Sequence, residues 1–423
     1  MLEIARIREN KTEIIERLKV RNLDVNEKIG TILRIDEEWR SAKQTLENVL
    51  AESNGNAKII AQLMREGKLD EANSAKARGI QLKEEEKSLV ENVNLKANEL
   101  QDLLYELPNV PNILVPKGKL DTDNEVVSQA GTIPTVQPFW QPHWELAKKY
   151  DIIDFELGVK VTGAGFPFYK GKGARIQRAL INFFLDEARD AGYTEIIPPF
   201  LVNQASGYGT GQLPDKVGQM YHDAQDDLYL IPTAEVPLTN IYRDVLLKES
   251  DFPIKLTGYT PCFRREAGSY GSDVRGLNRL HQFDKVEIVR IEHPDQSYAV
   301  LDKMVAYVQG LLTKLELPYR TLRLCGGDLG FTSALTYDLE VYSAAQDKWL
   351  EVSSISNFET FQANRLKLRY KDQNNKNQLA HTLNGSALAL PRILAALLEN
   401  NQTEAGIKVP AALVPYVGFN LID

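Results

Sequence analysis

Residues 263–287 read FRREAGSYGSDVRGLNRLHQFDKVE. Four arginines, Arg264, Arg265, Arg275 and Arg279, stand here among carboxylates, although the chain as a whole is acidic, with 50 basic against 58 acidic residues. A solvated face usually spreads Lys and Glu, whereas clustered guanidinium groups suit a planar anion, phosphate or carboxylate, gripped at two points. The stretch reads as strand, loop, strand: LTGYTPCFRREA approaches, GSYGSDVRG turns and LNRLHQFDKVEIVRIE leaves. Period two predicts Arg279, Phe283 and Glu287 on one face of the leaving strand, and Arg264 with Glu266 on one face of the entering strand. One pocket of this kind holds a phosphate chain on the arginines, stacks a purine on Phe283 and binds an ammonium or a hydroxyl at Glu287. The competing account is a surface ladder of cross-strand ion pairs.

A second anion-directed pattern lies in AHTLNGSALALPRILAALLENNQ, residues 380–402. A polar strand-like run ends at Asn384, Gly385 and Ser386, and an apolar helix follows. Pro391 fits the first turn of that helix, where its missing N–H has no partner to lose. Arg392 then stands at the helix N-terminus, where guanidinium and helix dipole both favour an anion; an ordinary capped helix with a surface Arg is the plainer account. A third stretch, GARIQRALINFFLDEARDAGYTEIIPPFLV (173–202), spaces Ile176, Leu180, Ile181, Phe184 and Leu185 as a helix, stops at Gly192 and continues as a strand into Pro198 and Pro199. It carries no chemistry and reads as core or interface.

The elements that position these residues divide the chain unevenly. Its 423 residues suit two or three domains, and 43% hydrophobic with 26% charged residues is ordinary for a globular protein with a large core. The net charge of -8 argues against a surface that coats nucleic acid wholesale, though not against a local basic patch. Two cysteines, Cys262 and Cys325, exclude a disulfide scaffold, and the lack of CxxC or Cys/His ligand spacing argues against a thiolate zinc site. The N-terminus is charged throughout, and no apolar run is long enough to span a bilayer, which predicts no signal peptide, no membrane and a cytoplasmic location.

From Val25 to Tyr105 there is no proline. Val25, Ile32, Ile35, Trp39, Ala42, Leu46 and Val49 follow three-four spacing, and so do Ala72, Ala75, Leu82, Leu89, Val93, Leu100 and Leu103, with SNGNAK (53–58) as the turn. This predicts two long antiparallel helices in a coiled-coil hairpin, each roughly 40–55 Å long at 1.5 Å per residue. Such an arm is either a probe for a distant part of a large ligand or a dimerisation rod; residues 27–105 hold twelve Lys/Arg and fifteen Asp/Glu, so charge does not mark it for nucleic acid. ELPNVPNILVP (106–116) is a linker, which gives an arm at 1–108 and a second domain at 109–423. Strands and helices there do not alternate regularly, so an α+β fold on a mainly antiparallel sheet flanked by helices is expected.

The three stretches, in this order, resemble motifs 1, 2 and 3 of class II aminoacyl-tRNA synthetases. The whole chain is similar to the bacterial-type seryl-tRNA synthetase family, which GTGQLP (209–214), PTAEVPLTN (232–240) and EVSSISN (351–357) also match. Two departures stand out: Arg265 replaces a common Ser, and FETFQANR (358–365) replaces a CTDFQARR-type run. The resemblance implies activation of serine by ATP to seryl-adenylate, then transfer to the 3′ end of serine tRNA, with selenocysteine tRNA left open as a second acceptor. It implies Arg264 and Arg392 as catalytic cations, Arg264 on the α-phosphate and the serine carboxylate. ATP would bind bent, its γ end on Arg279 and Arg392, adenine on Phe283 and read by Glu266, with Arg265 and the run Glu351, Val352, Ser353 and Ser354 beside it.

Glu351 and Ser354 would offer oxygens to Mg²⁺. Strict alternation puts them on opposite faces, so a bulge or a strand end is required there. Serine would meet Thr233, Ala234, Glu235, Glu287, Asn384 and Ser386; either carboxylate can take the amine, with Glu287 and Ser386 favoured for the hydroxyl. Thr233 is equally read as a helix N-cap. The loop at 268–278, with Arg275, would touch the tRNA acceptor end, the arm would grip the long variable arm, and motif 1 implies a homodimer. The rivals are a ligase that loads a carrier protein, disfavoured by the long arm, and a silent interaction scaffold, disfavoured by the joint presence of Arg264, Phe283, Glu287 and Arg392.

Overall fold

The computed structural model describes residues 1–215, 217–266 and 275–423. Two compact units form, one from Leu2–Lys19 with Leu23–Pro108, the other from Asn109–Asp423 with Met1 and Val20–Asn22.

In the first unit two short helices, Ile4–Glu9 and Lys11–Leu18, precede α1 (Asn26–Arg65) and α2 (Leu69–Tyr105), which pack against each other. Ile29, Ile32, Ile35, Ala42 and Val49 of α1 and Ala72, Leu82, Leu100 and Leu104 of α2 are buried, a seam of three-four spacing on each helix. Lys96 pairs with Glu38 at 2.7 Å and Arg78 with Glu52 at 2.8 Å along the rims.

The expected turn at 53–58 is wrong. The helix runs through these residues to Arg65 and reverses at 66–68, where Gly67 takes φ +73°. The cause is packing: the Asn56 amide donates to the Ala75 carbonyl at 2.8 Å across the hairpin, beside Gly79, whose lack of a side chain leaves it room. The helix penalty of two Asn and one Gly, about 2 kcal/mol, does not outweigh two turns of paired helix. The 40 residues of α1 therefore extend about 60 Å.

The second unit is built on an eight-stranded sheet: β1 (Glu125–Ala130), β2 (Thr194–Glu195), β3 (Ile254–Phe263), β4 (Gln282–Glu292), β5 (Tyr319–Arg323), β6 (Leu335–Ser343), β7 (Lys348–Glu359) and β8 (His381–Ala389). Its spatial order is β1-β5-β6-β7-β8-β4-β3-β2, and every neighbouring pair is antiparallel except β2–β3. Helices α3 (His143–Lys149), α4 (Gly171–Asp190), α5 (Glu235–Asn240), α6 (Ser297–Lys314) and α7 (Leu390–Asn400) flank it. The main core joins one face of the sheet, Ile288, Leu339, Ile355 and Leu383, to Leu180, Phe184, Leu301, Val308, Ile393 and Leu397 of the helices. The α4 spacing places Ile176, Ala179, Leu180, Phe183 and Phe184 inward, and Gly192 at φ +82° ends the helical run.

Among the described residues no helix is long and apolar enough to cross a membrane. Leu82→Ala should lower the stability of the helical hairpin by about 2–5 kcal/mol. Hydrogen exchange on the full chain checks this: amides of α1 and α2 should speed up while those of β4 and β8 keep their protection.

Candidate active site

The sheet face opposite the main core carries a buried polar cluster centred on Glu287. Strands β4 and β8 pair Glu287 with Ser386 and Val289 with Asn384, so all four side chains share that face. The Glu287 carboxylate is fully buried. Lys285, two residues before it on the same strand, reaches it at 2.6 Å. Asn384 donates its amide at 2.9 Å, the Thr233 hydroxyl lies at 3.3 Å and the Ser386 hydroxyl at 3.5 Å. Thr233 also accepts the Glu235 backbone N–H at 3.2 Å, a bond within the turn that leads into α5; the N-cap of that helix is Ala234, so the capping account of Thr233 does not hold.

Glu235 opens α5 beside this cluster, 6% exposed. The Gln362 amide donates to it at 2.6 Å, and Gln362 is itself fixed by the Thr382 hydroxyl at 2.7 Å. Burial, and the charge of Glu287 close by, push the Glu235 carboxyl up from its ordinary 4.5 to about 7 against the pull of the Gln362 hydrogen bond. The charges of Lys285 and Arg264 pull the other way but do not overcome burial.

The guanidinium groups lie at the ends of β3 and β4. Arg264 stacks on the Phe283 ring at 5.2 Å and donates Nε to the Pro232 carbonyl at 3.3 Å. Arg265 donates to the Met220 carbonyl at 3.2 Å and lies on the Tyr221 ring at 5.0 Å. Arg279 pairs with Glu266 at 2.7 Å. Alternation does not position these two, contrary to expectation: β3 ends at Phe263 and β4 begins at Gln282, so Glu266 and Arg279 lie outside the strands. Glu266 takes φ +48°, and that reversal brings it to Arg279. Phe283, Lys285 and Glu287 do share one face, through an unbroken β3–β4 register. The expected loop at 268–278 lies outside the described residues up to 274; Arg275 pairs with Glu145 at 3.2 Å and lies on the Trp144 ring at 4.6 Å.

Arg392 sits in the first turn of α7, as its Pro391 predicts. Its Nε donates to the Asn278 carbonyl at 3.0 Å and its Nη1 to the Glu351 carbonyl at 2.8 Å, with the Glu351 carboxylate at 3.5 Å. Of the two irregularities expected in this segment, a bulge or a strand end, strand β7 has the bulge. Leu339 faces Ser353 and Glu340 faces Glu351, which leaves Val352 as the extra residue. Glu351 and Ser354 consequently share a face with Asp338 and Glu340. Val352 and Ser353 point inward, and the Ser353 hydroxyl donates to the Ser386 carbonyl at 2.6 Å, which ties β7 to the Glu287 cluster.

The fit of this corner to a divalent cation rests on its donors. Ser354 hydrogen-bonds Asp338, and burial followed by the Glu351 charge holds the Asp338 carboxyl well above its ordinary range. One Asp338 oxygen is buried without a hydrogen-bond partner. Crowded hard oxygens of this kind suit Mg²⁺, which takes one or two carboxylates and fills its shell with water and phosphate. Among the described residues no set of three His, Cys, Asp or Glu side chains forms a metal cage.

Sequence reasoning missed Lys285, Gln362, Thr382 and Asp338. Lys285 was legible from the same period-two count that selected Phe283 and Glu287. Gln362 and Asp338 carry no signal, because their partners lie far away along the chain.

The chain is similar along its length to known proteins. Residues 1–111 match the seryl-tRNA synthetase N-terminal domain, and residues 218–401 match the tRNA synthetase class II core domain (G, H, P, S and T). Serine–tRNA ligase of Salinibacter ruber is 51% identical over 421 residues, covering 99% of this chain and 98% of that one. The same-named protein of Akkermansia muciniphila is 45% identical, covering 100% and 99%. Among solved structures, seryl-tRNA synthetase from Pyrococcus horikoshii, complexed with ATP, superposes with a TM-score of 0.92 at 32% identity, covering 100% of this chain and 99% of that one. The bulged β7, the paired carboxylates and the arginine at the start of α7 thus stand on the fold these relatives share, and the chain belongs to the seryl-tRNA synthetases, ATP-dependent ligases of class II.

Proposed function

We propose that the protein joins serine to the 3′ end of serine tRNA in two steps, on the sheet face that carries Glu287. The observation that carries this reading is a fully buried carboxylate, ringed by Lys285, Thr233, Asn384 and Ser386, on the same strand face as Phe283 and its stacked Arg264. In the first step a serine carboxylate oxygen attacks the ATP α-phosphorus, the bond to the β-phosphate breaks, and pyrophosphate leaves. Two anions must approach, so positioning and fixed cations supply most of the catalysis. Arg264 serves the α-phosphate and the carboxylate. Arg279 and Arg392 take the γ end of a bent ATP, Phe283 stacks the adenine, and Glu266 reads it, with Arg265, Val352 and Ser353 alongside. Glu351 and Ser354 would hold Mg²⁺, which neutralises triphosphate charge when bound.

Glu287 pairs directly with Lys285, whereas Glu235 takes the Gln362 amide and feels Lys285 and Arg264 without an ion pair among the described residues. This supports Glu235 as the acceptor of the serine ammonium, with Ala234 beside it, and Glu287 with Ser386 as partners of the hydroxyl. Such a site rejects alanine, which would leave buried polar groups unpaired. The second step needs no side-chain nucleophile: the tRNA ribose hydroxyl attacks the seryl carbonyl and AMP leaves. Arg275 then meets the acceptor end, and the α1–α2 hairpin grips the long variable arm. The reading includes a homodimer built on motif 1, a cytoplasmic location, and selenocysteine tRNA as a candidate second acceptor.

Serine-dependent ATP–pyrophosphate exchange tests the proposal. Glu287→Ala should reduce it at least about a thousandfold; unchanged exchange refutes the assignment. With Glu235 raised to about 7, protonated Glu235 adds stability to the free protein that is lost as pH climbs from about 4.5 through about 7. Serine KM should correspondingly fall between pH 6 and pH 8, and Glu235→Gln should abolish that dependence as well as weaken serine. Deletion of residues 30–100 should spare exchange and cripple tRNA charging, whereas loss of both would make the hairpin a folding element.

A further inference from the structure

His143 and Glu399 are both fully buried, 256 residues apart, and belong to none of the roles assigned above. His143 opens α3, and Glu399 stands in the last turn of α7, the helix whose first turn carries Arg392. The His143 ring Nδ1 and the His143 backbone N–H both lie against one Glu399 oxygen, at 2.7 and 2.9 Å. The Ser343 hydroxyl donates to the other oxygen. The Gln346 amide adds donations to Glu399 and to Ser343, each at 2.9 Å. Burial alone would push this carboxyl up, but the His143 and Ser343 donors outweigh it and hold it below its ordinary range.

The far side of the ring does something else. The Leu277 backbone N–H donates to His143 Nε2 at 2.8 Å, so the ring carries its hydrogen on Nδ1. The approach needs Gly276, at φ +69°, because a Cβ there would stand 2.2 Å from Nε2. The next residue, Asn278, donates its amide to Gln346 at 2.9 Å and offers its carbonyl to Arg392 Nε at 3.0 Å. A closed circuit results: the last turn of α7 holds His143, His143 holds 276–278, and 278 holds the arginine in the first turn of α7. We propose that His143 is a positioning residue which, through Leu277 and Asn278, aims the Arg392 guanidinium at the nucleotide. This rests on the ATP reading of Arg392 given above. A purely packed site would be served as well by an apolar side chain, since a buried hydrogen-bonded charge is by itself weak evidence of stabilisation.

Two substitutions in the full chain separate the faces of the ring. His143→Asn keeps a donor near the Nδ1 position for Glu399 and removes the acceptor for Leu277. His143→Gln keeps an acceptor near the Nε2 position and leaves Glu399 its Ser343 and Gln346 donors. In serine-dependent exchange His143→Asn should raise KM for ATP about tenfold, the effect of one lost buried hydrogen bond, with KM for serine unchanged. His143→Gln should stay within about threefold of the parent. Hydrogen exchange at Leu277, read without substrates, should speed up in His143→Asn alone. Equal ATP effects in the two variants, or lowered melting temperatures with unchanged KM values, would overturn the inference. Failure of the functional reading shows differently, as absent exchange in the unsubstituted chain.

Discussion

A carboxylate sealed from water must be neutralised within reach, and Glu287 is such a group. Its partner, Lys285, is 6% exposed and arrives from the same strand. Removing two charges from water is unfavourable by several kcal/mol per ion, and their attraction offsets this only when the remaining lone pairs are also satisfied. Hence Thr233 must come from the start of α5, and Asn384 and Ser386 from β8. The strand order that sets β8 against β4 is what brings them. Once that order is fixed, β7 must lie beside β8, and its Ser353 hydroxyl and Glu351 carboxylate come with it. The polar centre thus dictates which strands neighbour one another as firmly as the apolar face behind it does.

The arginines follow a different logic. None of Arg264, Arg265, Arg279 and Arg392 is sealed, and each is braced by a carbonyl, a ring or a carboxylate. A guanidinium presents a rigid fork, so a brace at one edge leaves other N–H groups for a ligand without losing the aim. Four guanidinium groups thus gather at one end of the central strands of an acidic chain, an arrangement that favours an anion there.

Much of this was legible in the sequence, and the boundary of legibility is physical. The heptad seams of α1 and α2, the α4 face, Pro391 with Arg392, and the β3–β4 pair all follow from local periodicity. The hairpin turn was not legible, because Asn56 is read locally as a turn former while its actual partner is Ala75 on the other helix. Arg279 and Glu266 were placed by an alternation that stops at the strand ends. A bulge or a strand end in β7 was required by the shared role that the resemblance gives Glu351 and Ser354, and the strand has the bulge. Lys285 was overlooked because a lysine between two selected positions looks like a solvated charge. Gln362, Asp338 and the His143–Glu399 pair had no local signature at all.

The extra residue at Val352 has a consequence for how this strand tolerates change. On either side of it the side chains keep step with their neighbours, but the two halves are out of phase by one position. Shortening the strand there by a single amino acid would restore a regular ladder and leave Glu351 opposite Glu340, on the same side as Ser354, so both halves would keep their faces. What the extra residue adds is a local bend and one more buried side chain, and its loss would straighten the strand without moving the carboxylates to the core side.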